Sequence, residues 1–293
     1  ARRRGPYAQV HVGAGRGAGK VIRRFVPHFF LAALSVVFVM PIFWMLLTSI
    51  KSDKDLYANP PVLFPNPPRW ENYVDVFREI HFLGMTWNTF FISMLCVIGV
   101  LISAPLVAYA CSLIDWKGKK FVFALVIGTL LLPYQVTMIP TYIIWNKLGM
   151  MGTYVPLILP AFLSAGMGYY IFLMRQFFMT VPVSLIHSAK IDGASELRIY
   201  LQIVLPLSKP IIATVGVLVF LAVWSDFLGP LLYLNDERDY TLSLGLYAFM
   251  QTHYIMWEKL MAASAMFTLP IIVLFFFAQR QFIEGIKLTG IKG

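Results

Sequence analysis

Long apolar stretches alternate along this chain with short polar ones. Charge-free runs occupy 25–50, 84–114, 121–146, 148–174, 211–225 (continuing past Asp226 to 234) and 260–279. A bilayer core takes about 20 apolar residues per spanning helix. The pattern therefore predicts an all-α integral membrane protein with six transmembrane helices, its fifth span carrying an acid. The first run, about 26 residues, exceeds the apolar core of a signal peptide, and "KSDKDLYANPP" comes after it where small cleavage-site residues would stand. It is expected to be a retained helix.

The connections are read the same way. A basic head, 1–24, precedes a transmembrane domain over 25–279, and a polar tail covers 280–293. The head is glycine-rich and expected to be disordered. Its Gly13, Gly15 and Ala18 imitate a dinucleotide fingerprint without the preceding strand. Gly19-Lys20 imitates a phosphate loop, but Val21 stands where that loop needs Ser or Thr. In 51–83 the prolines of "NPPVLFPNPP" exclude regular structure, and "RWENYVDVFREI" predicts a short amphipathic helix. Prolines 133, 140, 156 and 160 should kink the third and fourth spans. Gln135, Thr137 and Ser164 add polar groups at similar depth, and with Asp226 they are candidate residues of a substrate pathway. Ordinary helix packing explains the same residues equally well.

The longest polar interruption is 175–210, which contains "VPVSLIHSAKIDGASELRIYLQIVLPLSKP". Pro182 and Ser184 signal a helix start, and Asp192-Gly193 a turn. Ala194, Leu197, Tyr200, Leu201 and Val204 recur at helical spacing as a second helix, which Pro206 ends before Pro210 opens the fifth span.

Composition agrees with a membrane: 59% hydrophobic residues, 13% charged, mean hydropathy +0.72. Placing both termini in the cytoplasm puts 17 of the 24 Lys and Arg on the inner side and 10 of the 14 acids on the outer. The net charge of +10 then reflects topology and anionic lipid, and nucleic acid is not needed to explain it. Cys96 and Cys111 fall on one predicted helix about 22 Å apart, too far for a disulfide. The five histidines have no metal-ligand spacing, no nucleophile elbow occurs, and no span carries paired carboxylates. A membrane enzyme or an ion-coupled carrier would need such groups.

The loop resembles the signature of permease subunits of binding-protein-dependent ABC importers: E-A-A, three residues, Gly, nine residues, I-x-L-P. Ala189, Gly193, Ile203, Leu205 and Pro206 fall on it in register, while His187 replaces the family Glu and Ser188 an Ala. "IDGAS" and "LPLSKP" are similar to the carbohydrate-importing branch, as are "W-x-D-F-L-x-P-L" at 224–231 and "QRQFIEGIKLTGIKG" at the end. The resemblance implies a type I importer permease of the inner membrane. Its partners would be a second permease, two ATPase subunits that bind ATP and Mg, and an extracytoplasmic solute-binding protein. No cofactor or metal would belong to this chain. Ser184, His187, Ser188, Ala189, Asp192, Gly193, Glu196 and Pro206 would couple it to an ATPase, and Lys287, Gly290 and Lys292 of the tail would contact the ATPases. The cargo would be a saccharide, with an alginate-type polysaccharide one candidate and a non-sugar solute the alternative.

Overall fold

The structure is a computed structural model that describes residues 16–250 and 254–290, with side chains over 27–250 and 254–279. In chain order, α1 is Arg16–Ser49, α2 Asp53–Leu56, α3 Glu71–Glu79, α4 Phe82–Ser112, α5 Lys119–Leu130 and α6 Tyr134–Lys147. Next come α7 (Val155–Phe162), α8 (Gly168–Phe178), α9 (Val183–Ile191) and α10 (Glu196–Ile199). A π-helical turn, Tyr200–Val204, leads into α11 (Leu205–Leu207). The chain ends through α12 (Lys209–Trp224), α13 (Leu228–Tyr233), α14 (Leu242–Leu246) and α15 (Trp257–Gly290). No strand occurs among the described residues.

Of these, α1, α4 and α15 are each long and apolar enough to cross a membrane alone; counting bent pairs as single spans gives up to six. The remaining runs are interrupted where the sequence denies the backbone a continuous ladder. The run 121–146 is not one rod. Its halves α5 and α6 meet at 100°, and Pro133, extended and without an N–H, caps α6. Within 148–174 the chain turns before α7 and breaks again between Phe162 and Gly168. Pro156 opens α7 in its first turn, where its missing N–H costs nothing, so it starts a helix in place of the expected kink. Pro140 and Pro160 do lie inside helices. The fifth run is α12 and α13, separated at 225–227.

At its ends the chain is more helical than its composition predicts. α1 begins at Arg16, nine residues before the apolar run, despite Gly17 and Gly19. α15 runs on to Gly290, so Lys287 and Gly290 stand on a helix and not on an extended peptide. Lys292 and residues 1–15 of the head lie outside the described residues.

The main core forms on α4. Ile92, Cys96, Val100, Ala104 and Ala108 repeat every four residues and are buried against Ile171, Met174 and Phe178 of α8 and Val215 and Val219 of α12. Each step of four advances about 40° beyond a full turn, so the stripe winds round the helix and meets different neighbours at different levels. Lipid offers helices no hydrophobic incentive to associate, so close approach depends on small residues. α7 supplies it: Cys96 Sγ donates to Leu157 O at 3.3 Å and Ser103 Oγ to Ala161 O at 2.8 Å, with Gly99 facing the Phe162 ring between them.

A second cluster closes the other end of α4, where Val76 and Ile80 from α3 and its border meet Met85, Leu242, Phe249 and Leu260. The Lys259 ammonium and the Glu79 carboxylate pair beside it. α1 packs along α15. From Pro27 to Trp44 its residues stay exposed on this chain.

Candidate functional site

Between α8 and α12 the chain leaves the bundle, makes the α9–α11 excursion and returns. α8 meets α9 at 78°, and the 196–207 stretch meets α12 at 78°. Pro182 sets φ at −60° as the N-cap of α9.

The turn after α9 is a Schellman motif. Gly193 has φ +77°; its N–H donates to Lys190 O at 3.1 Å, and the Ala194 N–H donates to Ala189 O at 2.9 Å. Ala189 and Ala194, the apolar pair that accompanies such a motif, both pack on the main core. The family spacing from Ala189 to Gly193 thus has a local cause: a small residue three positions from the helix end, and a residue free to adopt the left-handed region. Ser195 then caps α10, accepting from the Arg198 N–H at 3.3 Å.

The loop is bolted to the bundle from beneath. Ile186, Ile199, Tyr200 and Val204 are buried in the main core, and the Tyr200 ring lies 5.2 Å from that of Tyr109 on α4. Glu196 is the fixing point. Its Oε1 lies 2.6 Å from Lys190 Nζ, and its Oε2 accepts from the Tyr109 hydroxyl at 2.7 Å. Lys190, and then Tyr109, hold its carboxyl below the usual glutamate range. Glu196 therefore spends its charge within the chain and positions the loop. At the root of the excursion, Arg175 Nε donates to Cys111 O at 2.9 Å and the guanidinium lies over the Phe123 ring at 3.9 Å, joining α8 to the end of α4 and to α5.

The face turned away from the bundle is open. Ser184, His187, Ser188, Asp192, Gly193 and Pro206 are all exposed, and so are apolar Val183, Leu185 and Leu197. Ile191, at 87% exposure, is the extreme. Two expectations change. Regular helical spacing turns Leu197 and Leu201 inward, but both leucines are exposed and Ile199 is buried, and from Tyr200 to Val204 the chain widens into a π turn. Pro206 does not end the second helix. It sits in the first turn of α11, and the break comes two residues later at buried Ser208.

The candidate pathway residues each have a local setting. Gln135 is exposed on α6, and Thr137 bonds back to Tyr134 O at 3.1 Å. Ser164, in the break between α7 and α8, has φ +56° and a buried hydroxyl without a partner. Asp226 is a cap: its Oδ1 accepts from the Gly229 N–H at 3.1 Å, while its carbonyl receives the Ser243 hydroxyl. Nearby, buried Trp224 donates from Nε1 to Phe267 O at 3.2 Å, tying α12 to α15. The residues of the 224–231 stretch thus have structural work of their own.

Sequence reasoning missed Tyr109 and Arg175. Neither carries a local signal, because each acts on a segment more than sixty positions away.

A family model described as the binding-protein-dependent transport system inner membrane component matches residues 107–287. The arabinooligosaccharides transport system permease protein AraQ of Halalkalibacterium halodurans is 33% identical over 266 residues, 89% of this chain and 94% of that protein. The sn-glycerol-3-phosphate transport system permease protein UgpE of Brucella abortus is 31% identical over 281 residues, 92% of this chain and 97% of its own. Among solved structures, a chain of a bacterial ABC transporter involved in import of the acidic polysaccharide alginate superposes with TM-score 0.74 at 23% identity, covering 94% of this chain and 99% of that one.

Proposed function

The chain belongs to the inner membrane components of binding-protein-dependent transport systems, and from that premise we propose that it is the permease subunit of an ATP-driven saccharide importer. The cargo class rests on the arabinooligosaccharide relative and on the alginate importer whose fold it shares. An alginate-like polysaccharide is the specific candidate within that class. The glycerol-phosphate relatives favour a second reading, a small phosphorylated solute.

One observation carries the coupling role. An exposed short helix, apolar at Ile191 and polar at His187, is held on the spans from below while its outer face stays open among the described residues. Such a surface suits a cleft on a cytoplasmic ATPase. His187 brings a hydrogen-bonding ring where the family has a carboxylate, so this contact does without that ion pair. In this reading both termini are cytoplasmic, a second permease covers the free face of α1, and a solute-binding protein delivers cargo from outside. ATP and Mg are bound by the two ATPase subunits, and this chain is no enzyme. Closure of the ATPases displaces α9 as a body, and the packed spans switch between inward and outward arrangements. Lys287 and Gly290 at the end of α15 contact the ATPase pair in this reading, as does Lys292 after them in the sequence.

The test is crosslinking and ATP hydrolysis in the assembled transporter. Cysteine at His187 or Ile191 should crosslink to the ATPase subunit, and failure in every nucleotide state would overturn the docking role. Binding protein loaded with oligosaccharide should stimulate hydrolysis. Stimulation by sn-glycerol 3-phosphate instead would select the second reading.

A further inference from the structure

At the end of α1 farthest from the α9 loop, Trp44, Thr48 and Lys51 line a cavity of about 290 Å³ together with Asp55 and the α15 residues Trp257 and Met261. Two polar side chains are almost wholly buried here, Lys51 at 3% exposure and Thr48 at 6%. Neither is satisfied by the protein in the usual way. The Thr48 hydroxyl has no hydrogen-bond partner, although a threonine inside a helix ordinarily bonds back to the preceding turn. The Lys51 ammonium lies 4.8 Å from the centre of the Trp44 ring, and no carboxylate among the described residues comes within ion-pair distance of it. A lysine only 3% exposed, its ammonium stacked on Trp44 and near Asp55 without an ion pair, and a buried unpaired hydroxyl line one small space. Such groups are costly unless something fills it.

What fits is set by the place and the charges. The cavity lies where the apolar length of α1 gives out, at the level of a lipid headgroup, and the two indoles have the character of an interfacial belt. Lys51 and Thr48 are donors and call for an anionic oxygen. Asp55 accepts from the Ser52 N–H and hydroxyl through Oδ2 alone, which leaves Oδ1 to face a cation, and indole faces also attract cations. The Lys51 charge acts on Asp55, so the pocket is lined by one ammonium and one carboxylate, charges that complement the two ends of a zwitterion. We infer that this cavity binds the headgroup of a phosphatidylethanolamine molecule, its phosphate on Lys51 and Thr48 and its ammonium toward Asp55 and the tryptophans. Such a lipid would pin α1 to the start of α15 at a site apart from the α9 loop and from the candidate pathway residues.

The test is retention of lipid by the purified, assembled transporter, counted by native mass spectrometry after equilibration with mixed phosphatidylethanolamine and phosphatidylglycerol micelles. The wild type should keep a phosphatidylethanolamine that Lys51→Met and Thr48→Val each release at least tenfold more readily. Asp55→Asn should lose the preference over phosphatidylglycerol. Trp44→Leu gives a variant that leaves the buried polar groups intact, and it too should retain less. Equal retention by wild type and all four variants, preference for phosphatidylglycerol in the wild type, or displacement of the lipid by inorganic phosphate or by an oligosaccharide would overturn the assignment.

Discussion

The Tyr109 hydroxyl donates to Glu196 Oε2 at 2.7 Å, joining the last turn of α4 to a helix 87 residues later. This bond and the Lys190–Glu196 pair hold the α9–α11 excursion to the longest helix of the main core. Tyr109→Phe removes the donor and keeps the ring contact with Tyr200. A loss of about 1 kcal/mol is expected for a partly exposed bond of this kind. The chain should still insert, while saccharide-stimulated ATP hydrolysis falls. Unchanged stimulation would show that the bond is incidental to coupling.

The same carboxylate makes the loop sensitive to acid. Glu196 is held below its ordinary value, by Lys190 first and Tyr109 second. Its stabilisation is complete above the unfolded glutamate value of about 4.3 and disappears as pH falls through the lower folded value. Hydrogen exchange at the amides of 194–204 should therefore accelerate toward acid pH. In Lys190→Met the acceleration should begin at a higher pH, because the larger of the two depressing influences has gone.

Gly193 is a matter of backbone conformation and not of space. Its φ is +77°, and a Cβ there would meet no atom within 4 Å. Gly193→Val should cost about 1–2 kcal/mol and misaim α9, while Gly193→Asn, which tolerates the left-handed region, should cost less. Coupled hydrolysis should rank glycine, asparagine, valine. An equally active valine variant would contradict the motif.

Gly99 presents the opposite case. A Cβ there would stand 2.7 Å from Phe162 Cδ2 and 3.0 Å from the Phe162 backbone nitrogen. Gly99→Ala should destabilise by about 1–3 kcal/mol, since the helices must separate. Combining it with Phe162→Leu should recover part of that, because only the ring can move aside. Thermal unfolding of the purified chain in detergent distinguishes the two contributions.

Asp226 separates a cap from a pathway residue. If its work is to hold the Gly229 N–H, Asp226→Asn keeps an acceptor and should leave transport near the wild-type rate, while Asp226→Ala loses about 1 kcal/mol. Transport abolished equally by both would return the charge itself to the cargo route.

Particular elements show why some of this was legible in advance. α4 and α15 could be read from apolar length alone, and the turn at Gly193 from residue type, because in both cases the cause is local. The 100° bend at Pro133 was announced by a residue that cannot donate, but its angle depends on what α5 and α6 pack against. The second loop helix failed differently. Of the residues at helical spacing, Ala194, Tyr200 and Val204 do meet the core, but Leu197 and Leu201 are exposed and Ile199 is buried, where a π turn at Tyr200–Val204 changes the angle per residue. Asp226 and Ser164 looked alike as polar groups in apolar runs. One proved to be a satisfied cap and the other an unpaired hydroxyl on a left-handed backbone, a difference that only tertiary structure creates.

The two 78° elbows on either side of the α9–α11 excursion have a mechanical corollary. A helix transmits thrust along its axis, and here the axis turns sharply at both points where the loop joins the bundle. A load applied at Ile191 cannot run straight down α8 or up α12 as compression. It must pass sideways, through Glu196 into Tyr109 on α4 and through Arg175 into α5, where it arrives off-axis as a torque. The excursion is thus shaped as a crank, and its throw is set by side chains bonded within this chain.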